Sequence, residues 1–313
     1  MSTNRQPAPV VVAVDGSERS AGAVRYAVRE ARIRGCAVRL VHVAPTPLPE
    51  GGLWPSAGRD VDDLRSSGER ILERAVAEAR SAAFDVRFES VLGRGPRVAE
   101  LAAMAAAGGL MVLGRETRRG TERLLAGTTT AGVVARSAVP VVVVPADWRE
   151  RERGRGRIVV GIKSVLPDGE LLARAYSMAS ARHAALRLVH VVEVPELAAE
   201  IGVAGAYADE SVGSGRQMLE AAAHEWRDAF PDVEVEERAV VGRPAEVLVD
   251  ASTDADLLML ARPHRDLRHP VRLGRTPRAV LGVSDTPVEV VPLKREPATA
   301  PLVLESEGEI LKG

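Results

Sequence analysis

The sequence predicts an α/β protein built of two tandem domains, each a five-stranded parallel sheet, paired with each other as an internal pseudo-dimer. Three observations predict the domains and their sheets, and the apolar edges of the last strands predict the pairing. The first is duplication. The run Val-Val-Ala-Val-Asp (11–15) returns as Val-Val-Gly-Ile-Lys (159–163), Arg39-Leu-Val-His-Val43 as Arg187-Leu-Val-His-Val191, and Ala138-Val-Pro-Val-Val-Val-Val-Pro145 as Asp285-Thr-Pro-Val-Glu-Val-Val-Pro292. The offsets barely drift: 163 − 15 = 148, 190 − 42 = 148, 242 − 93 = 149 and 274 − 127 = 147. A repeat this long is a duplicated domain, because a solenoid unit is several times shorter. The second observation is that apolar runs alternate with helical periodicity, which implies parallel strands joined by right-handed crossovers. The third is that the strands are continuous apolar runs, so both faces of each sheet are covered.

The elements of the first repeat follow in order. Residues 10–14 form a strand that Asp15-Gly16-Ser17 breaks, with Ser17 or Ser20 placed to cap the next helix. Ala21, Val24, Val28 and Ala31 recur at helical spacing, and Gly35 ends that helix. Val38–Val43 is the second strand, 44–60 a loop rich in Pro and Gly, and 62–82 a second helix with Leu64, Ile71, Leu72, Ala75 and Ala79 inward. Val86–Leu92 is a strand, Val98–Ala105 a helix, Leu110–Leu113 a buried strand, Thr129–Arg136 a short helix and Val141–Val144 the last strand. The second repeat has the same pattern. Boundaries fall at 1–147 and 155–294, across a charged linker at 146–157, with a tail over 295–313 whose one hint of structure is a short strand at 302–304. An unpaired Val141–Val144 or Val288–Val291 would be an apolar edge open to aggregation, which favours pairing the two edges together.

Composition narrows the function. The 313 residues suit roughly two domains, and the formal net charge of −1 supplies no field for nucleic acid or acidic lipid. The opening Met-Ser-Thr-Asn-Arg-Gln-Pro lacks a signal-peptide core, and no apolar run is long enough to span a bilayer. Cys36 is the single cysteine, so no internal disulfide forms, which fits a reducing cytoplasm.

Ligands of such sheets bind outside the carboxyl ends of the strands, where the strand order switches. In the first repeat Asp15-Gly16-Ser17 and the segment 114–128 should meet there. Gly127-Thr128-Thr129-Thr130 opens a helix, so free N–H groups, the positive dipole end and three hydroxyls share one small region suited to an anion. Arg115, Arg118, Arg119 and Arg123 belong to the same segment. A solvated arginine-rich loop with a threonine helix cap explains these residues equally well.

Val14-Asp-Gly-Ser17, the Val-His-Val strand (41–43), Gly93-Arg-Gly-Pro96 and Val139-Pro-Val-Val-Val-Val144 together resemble the universal stress protein family. About nine-tenths of the chain resembles a tandem member of it. That resemblance implies a Rossmann-like domain of the adenine-nucleotide alpha-hydrolase type, domains paired through their last strands, and an ATP loop of the form Gly, two residues, Gly, nine residues, Gly-Ser or Gly-Thr. Gly114 and Gly127-Thr128 fill the outer places, and Thr117 stands where the second glycine is expected. By the same resemblance Asp15 would hold the ribose hydroxyls, Ala13 and Val43 would frame the adenine, and Leu113 and Gly114 would lie along the nucleoside. Gly127, Thr128, Thr129 and Thr130 would hold the phosphates of ATP, with or without magnesium. A β-branched residue at a position of positive φ is disfavoured, so Thr117 departs from the pattern in a way that bears on the loop.

The second repeat lacks these groups. Lys163 replaces the aspartate, Ala261 and His264 replace the two glycines, Arg275 replaces the hydroxyl after Gly274, and Pro277 removes a donor from the helix start. Its site therefore looks degenerate, although Lys163, His264 and Arg275 could form a different anion site. His42 and His190 occupy matching strand positions and suit a structural role. His264 and His269 lack the companions a metal site needs, and Trp54 suits a packing anchor or a lid. The expected function is a cytoplasmic stress-response protein that binds ATP in its N-terminal domain and acts as a nucleotide-dependent regulator toward an unidentified protein partner, without efficient hydrolysis and without catalytic residues. Its rivals are a nucleotide-free interaction module and an ATP-using adenylyl-transfer enzyme.

Overall fold

The computed structural model describes residues 7–45, 57–115, 128–150, 156–164, 169–262 and 273–293. The first half runs β1 (Val10–Ala13), α1 (Arg19–Arg34), β2 (Val38–Ala44), α2 (Ala57–Ala82), β3 (Phe88–Arg94), α3 (Arg97–Ala106), β4 (Leu110–Arg115), α4 (Thr128–Arg136) and β5 (Val141–Pro145). The second runs β6 (Arg157–Gly161), α5 (Gly169–Arg182), β7 (Ala185–Val192), α6 (Glu196–Glu200), α7 (Ala204–Arg227), β8 (Val235–Val241), α8 (Pro244–Ala251), β9 (Leu257–Arg262), α9 (Arg275–Val283) and β10 (Val288–Pro292). The short α6 is an addition with no counterpart in the expected pattern. Helix α2 begins at Ala57, earlier than its apolar periodicity, because its first turns carry Asp and Arg in place of core residues.

The ten strands of the described residues join in one sheet of order β3-β2-β1-β4-β5-β10-β9-β6-β7-β8. Within each half every pair is parallel, as in Val10 beside Val38 and Leu110. The halves meet through an antiparallel β5–β10 pair, with Val143 opposite Val288, Val142 opposite Glu289 and Val141 opposite Val290. The expected pairing of the last strands is thus the seam of the molecule. It leaves neither valine-rich edge unpaired, which removes two templates for aggregation.

Alternation along the strands divides the core into two layers. Val10, Val12, Val142, Val144, Ile158 and Val160 face one layer with Tyr26, Leu72, Leu171, Tyr176 and Leu219, which come from α1, α2, α5 and α7. Val11, Val141, Val143, Val159, Val288 and Val290 face the other with Leu101, Val133, Leu248 and Val280, which come from α3, α4, α8 and α9. Each layer runs unbroken across the seam. Full burial of each such Val or Leu contributes on the order of 1.5–3 kcal/mol, so many small side chains replace the few aromatics a core of this size often has. Helix α1 turns Ala23, Tyr26, Ala27 and Ala31 inward and stops at Gly35, whose φ of 61° is left-handed. The segment after β5 is fixed to α1: Arg25 donates to the carbonyls of Ala146 and Trp148, and the Trp148 ring meets Tyr26 edge-on at 5.2 Å.

Candidate nucleotide site

The order of the first half, 3-2-1-4-5, reverses between β1 and β4. A ligand cleft is expected at that reversal, beyond the carboxyl ends of the strands. A cavity of about 250 Å³ opens there. Eight of the ten residues expected at the site line it: Ala13, Asp15, Val43, Leu113, Gly114, Thr128, Thr129 and Thr130. Thr117 and Gly127 lie outside the described residues, as do Trp54, His264, His269 and the segment 302–304.

Each lining group has a local reason for its place. Gly16 has a φ of 77°, a left-handed turn that glycine adopts without penalty. That turn sends the chain from β1 into α1 and brings Ser17 and Ser20 back over the Asp15 carboxylate. Oδ1 of Asp15 accepts from the Ser17 N–H at 3.0 Å, the Ser17 hydroxyl at 2.5 Å and the Ser20 hydroxyl at 2.9 Å. The expected serine helix cap is therefore not the arrangement found. The position before α1 is Glu18, with no side-chain cap bond, and both serines serve the aspartate instead. Partial burial works against ionisation of Asp15. The Ser17 hydroxyl and N–H, the Ser20 hydroxyl and the Arg19 charge outweigh it and hold the carboxyl below its ordinary value. Asp15 is thus an anion at neutral pH.

Gly114 answers a packing need at this place. A Cβ there would stand 2.1 Å from the Arg19 carbonyl oxygen. The glycine lets the start of α1 lie against the end of β4, and this contact closes one wall of the cavity. In the second repeat Ala261 fills the place. There α5 begins at Gly169, past the point that the offset assigns to Arg19 (19 + 148 = 167).

The opposite wall is the first turn of α4. Thr128, Thr129 and Thr130 are its first three residues, so their N–H groups lack helical acceptors and their end of the helix is the positive one. Two cationic residues that the motif reasoning passed over, Arg19 and Arg97, also line the cavity. Arg97 follows directly on the Gly93–Pro96 segment, and that adjacency was the available signal. Arg115 behaves differently from its expected place in an anion loop. It ends β4 and donates across the seam to the carbonyls of Gly282 and Ser284.

His42 borders the cavity but is held by the fold: its Nδ1 lies 2.7 Å from the Val14 carbonyl oxygen and so carries the donated proton. His190 makes the same contact to Ile162 at 3.0 Å. Since 162 − 14 = 148 and 190 − 42 = 148, the contact is common to both repeats and ties the second strand to the end of the first. In the second repeat Lys163 stands at the aspartate position, and α9 begins Arg275-Thr276-Pro277, with no N–H on its third residue.

The first half is thus a doubly wound α/β domain with an anionic group at its first strand and an open helix terminus at the switch point. The universal stress protein family model matches residues 8–145 and again 154–292, and the chain belongs to that family, with two of its domains in tandem. A universal stress protein of Mycobacterium tuberculosis is 28% identical over 318 residues, 95% of this chain and 99% of that one. A second from the same organism is 30% identical over 313 residues, 93% of this chain and 99% of the other. Among solved structures, a universal stress protein from Archaeoglobus fulgidus aligns with a TM-score of 0.66 at 19% identity, covering 92% of this chain and 97% of that chain. Among the described residues no helix is long and apolar enough to cross a membrane.

Proposed function

We propose that the N-terminal half binds an adenine nucleotide, ATP, and that the protein is a cytoplasmic nucleotide-dependent regulator of the stress response. The observation that carries this reading is the convergence of an ionised Asp15 and the open first turn of α4 on one cavity at the strand reversal. A carboxylate suits the two vicinal hydroxyls of a ribose. The helix terminus with its three threonine hydroxyls suits phosphate. The apolar wall of Val41, Val43 and Leu113 suits a base. The cavity is at the small end of ligand sites, which suits a nucleoside with its phosphates at the mouth. Magnesium, when it accompanies the nucleotide, would rest on those phosphates, because among the described residues no three His, Cys, Asp or Glu gather as a metal site. Among the described residues along the cavity no side chain has the place of a base aimed at an attacking water, and the reading is of binding and signalling without efficient hydrolysis.

Titration calorimetry of the full-length chain with ATP tests the proposal. One site per chain is expected, weakened roughly ten- to a hundredfold in Asp15→Ala and unchanged in Lys163→Ala. Two equal sites, or one whose affinity is unaltered by loss of Asp15, would refute it. A second reading has its own support: Oδ1 of Asp15 is already filled by Ser17 and Ser20. An aspartate committed to that turn fits a nucleotide-free interaction module. On that reading Asp15→Ala lowers stability, and no nucleotide is released when the purified protein is denatured.

A further inference from the structure

The seam carries one fully buried carboxylate among valines. Glu289, in the middle of β10, is fully buried, and so is its partner on β5, Val142. The two hold one position in the two repeats, since 289 − 142 = 147. The flanking pairs, Val143 with Val288 and Val141 with Val290, exchange under the same offset (288 − 141 = 147, 290 − 143 = 147). The pseudo-twofold axis therefore passes through the Val142–Glu289 pair. On a true twofold axis a residue meets its own copy. Two N-terminal halves joined in this way would set valine against valine. Two C-terminal halves would set Glu289 against Glu289, and directly opposed residues on paired strands have Cβ atoms only about 5 Å apart.

The surrounding charges share this asymmetry. Arg174, on α5 of the same half, pairs with Glu289. Arg182, farther along α5, pairs across the seam with Glu30 of α1, and both side chains are almost wholly buried. The residue equivalent to Glu30 in the second repeat is Met178 (178 − 30 = 148). A second C-terminal half would thus face Arg182 with a methionine and leave a buried guanidinium without its carboxylate, a costly arrangement.

We infer that β10 and α5 form a surface selective for an N-terminal-type domain, one with an apolar residue at the place of Val142 and a carboxylate at the place of Glu30. The C-terminal half accepts the N-terminal half and rejects a second copy of itself. Buried ion pairs are poor sources of stability but effective against wrong partners, because the wrong partner leaves a charge unanswered.

Val142→Glu in the full-length chain tests this by giving the N-terminal half the axis residue of the C-terminal half. Its melting midpoint should fall by about 10 °C in the wild-type background, and far less when Glu289→Val is present. Val142→Gln, of the same size but uncharged, should cost less than Val142→Glu. Equal losses in the two backgrounds, or equal losses from Gln and Glu, would overturn the inference. If every position-142 variant fails to fold, a second cycle decides. Glu30→Met should destabilise the chain by stranding Arg182, and adding Arg182→Met should restore part of the loss. A double variant no more stable than Glu30→Met alone would likewise overturn it.

Discussion

Arg262 at the end of β9 donates from Nη2 to the Ser137 carbonyl at 2.6 Å, reaching across the seam from one repeat into the other. Its counterpart returns the contact: Arg115 at the end of β4 donates to the Ser284 carbonyl (262 − 115 = 147, 284 − 137 = 147). Ser137 directly follows α4 and Ser284 directly follows α9, so each guanidinium sits at the negative end of a helix of the other half. Helix α4 is thereby held at its last turn by the C-terminal half while its first turn walls the cavity.

Loss of this grip should be measurable. Arg262 is 6% exposed, and Arg262→Ala would leave the Ser137 carbonyl without its donor and open a gap in the seam. We expect a loss of about 2 kcal/mol in urea unfolding, in the range for a charged hydrogen bond. Arg115→Ala, at a half-buried position, should cost less. A neutral effect of Arg262→Ala would show that this bond contributes nothing to holding the seam.

Asp15→Asn tests both the ligand and the turn. ATP affinity should fall by roughly 1.5–3 kcal/mol, the usual worth of hydrogen bonds to a charged group, read by calorimetry against an unchanged circular dichroism spectrum.

The lowered pKa of Asp15 fixes the sign of a pH effect. The folded carboxyl titrates below its ordinary value of 3.8. Its contribution to stability is therefore complete above that value and is lost as pH falls through the folded one. The stability difference between wild type and Asp15→Asn should shrink as pH drops below about 4. A difference that stays constant into strong acid would show that the serine bonds do not favour the ionised form.

Gly114→Ala should disturb the cavity wall. The new methyl would press on backbone at Arg19, which cannot rotate away. A cost of about 1–3 kcal/mol is expected for such overpacking, together with weaker nucleotide binding. Ala261→Gly in the second repeat should leave ATP affinity unchanged.

Thr117→Gly restores the glycine that the family loop has at this place. Affinity for ATP should rise while stability falls slightly, because glycine adds freedom to the unfolded chain. A fall in affinity would make the threonine hydroxyl a ligand.

The fold was legible wherever burial on both faces wrote itself as a continuous apolar run. Val10–Val14, Leu110–Leu113 and Val141–Val144 are of that kind, and duplication repeated each signal. The outer strand β8, Val-Glu-Glu-Arg-Ala-Val-Val, has no such run and was located through its repeat partner. The residues that line the cavity from strand ends and from the start of α4 were legible because they sit at fixed distances from those strands. What stayed hidden depends on partners remote in sequence. Arg115 looked like one more loop arginine because the carbonyls it meets lie 167 and 169 residues away. Glu289 stands in a valine strand, and nothing in the spacing of Arg174 and Glu30 marks them as its neighbours. Ser17 and Ser20 have the composition of a cap, and only their geometry shows them turned toward Asp15.

The antiparallel seam has a consequence for access. Strands point one way in the N-terminal half and the other way in the C-terminal half, so their carboxyl ends emerge on opposite rims of the sheet. The cavity beside Asp15 opens on one rim, and Lys163 and the start of α9 stand on the other. Visitors to the two rims therefore approach from opposite sides and do not compete for space. The chain is thus a two-sided plate, and whatever occupies the Asp15 cavity leaves the opposite rim uncovered.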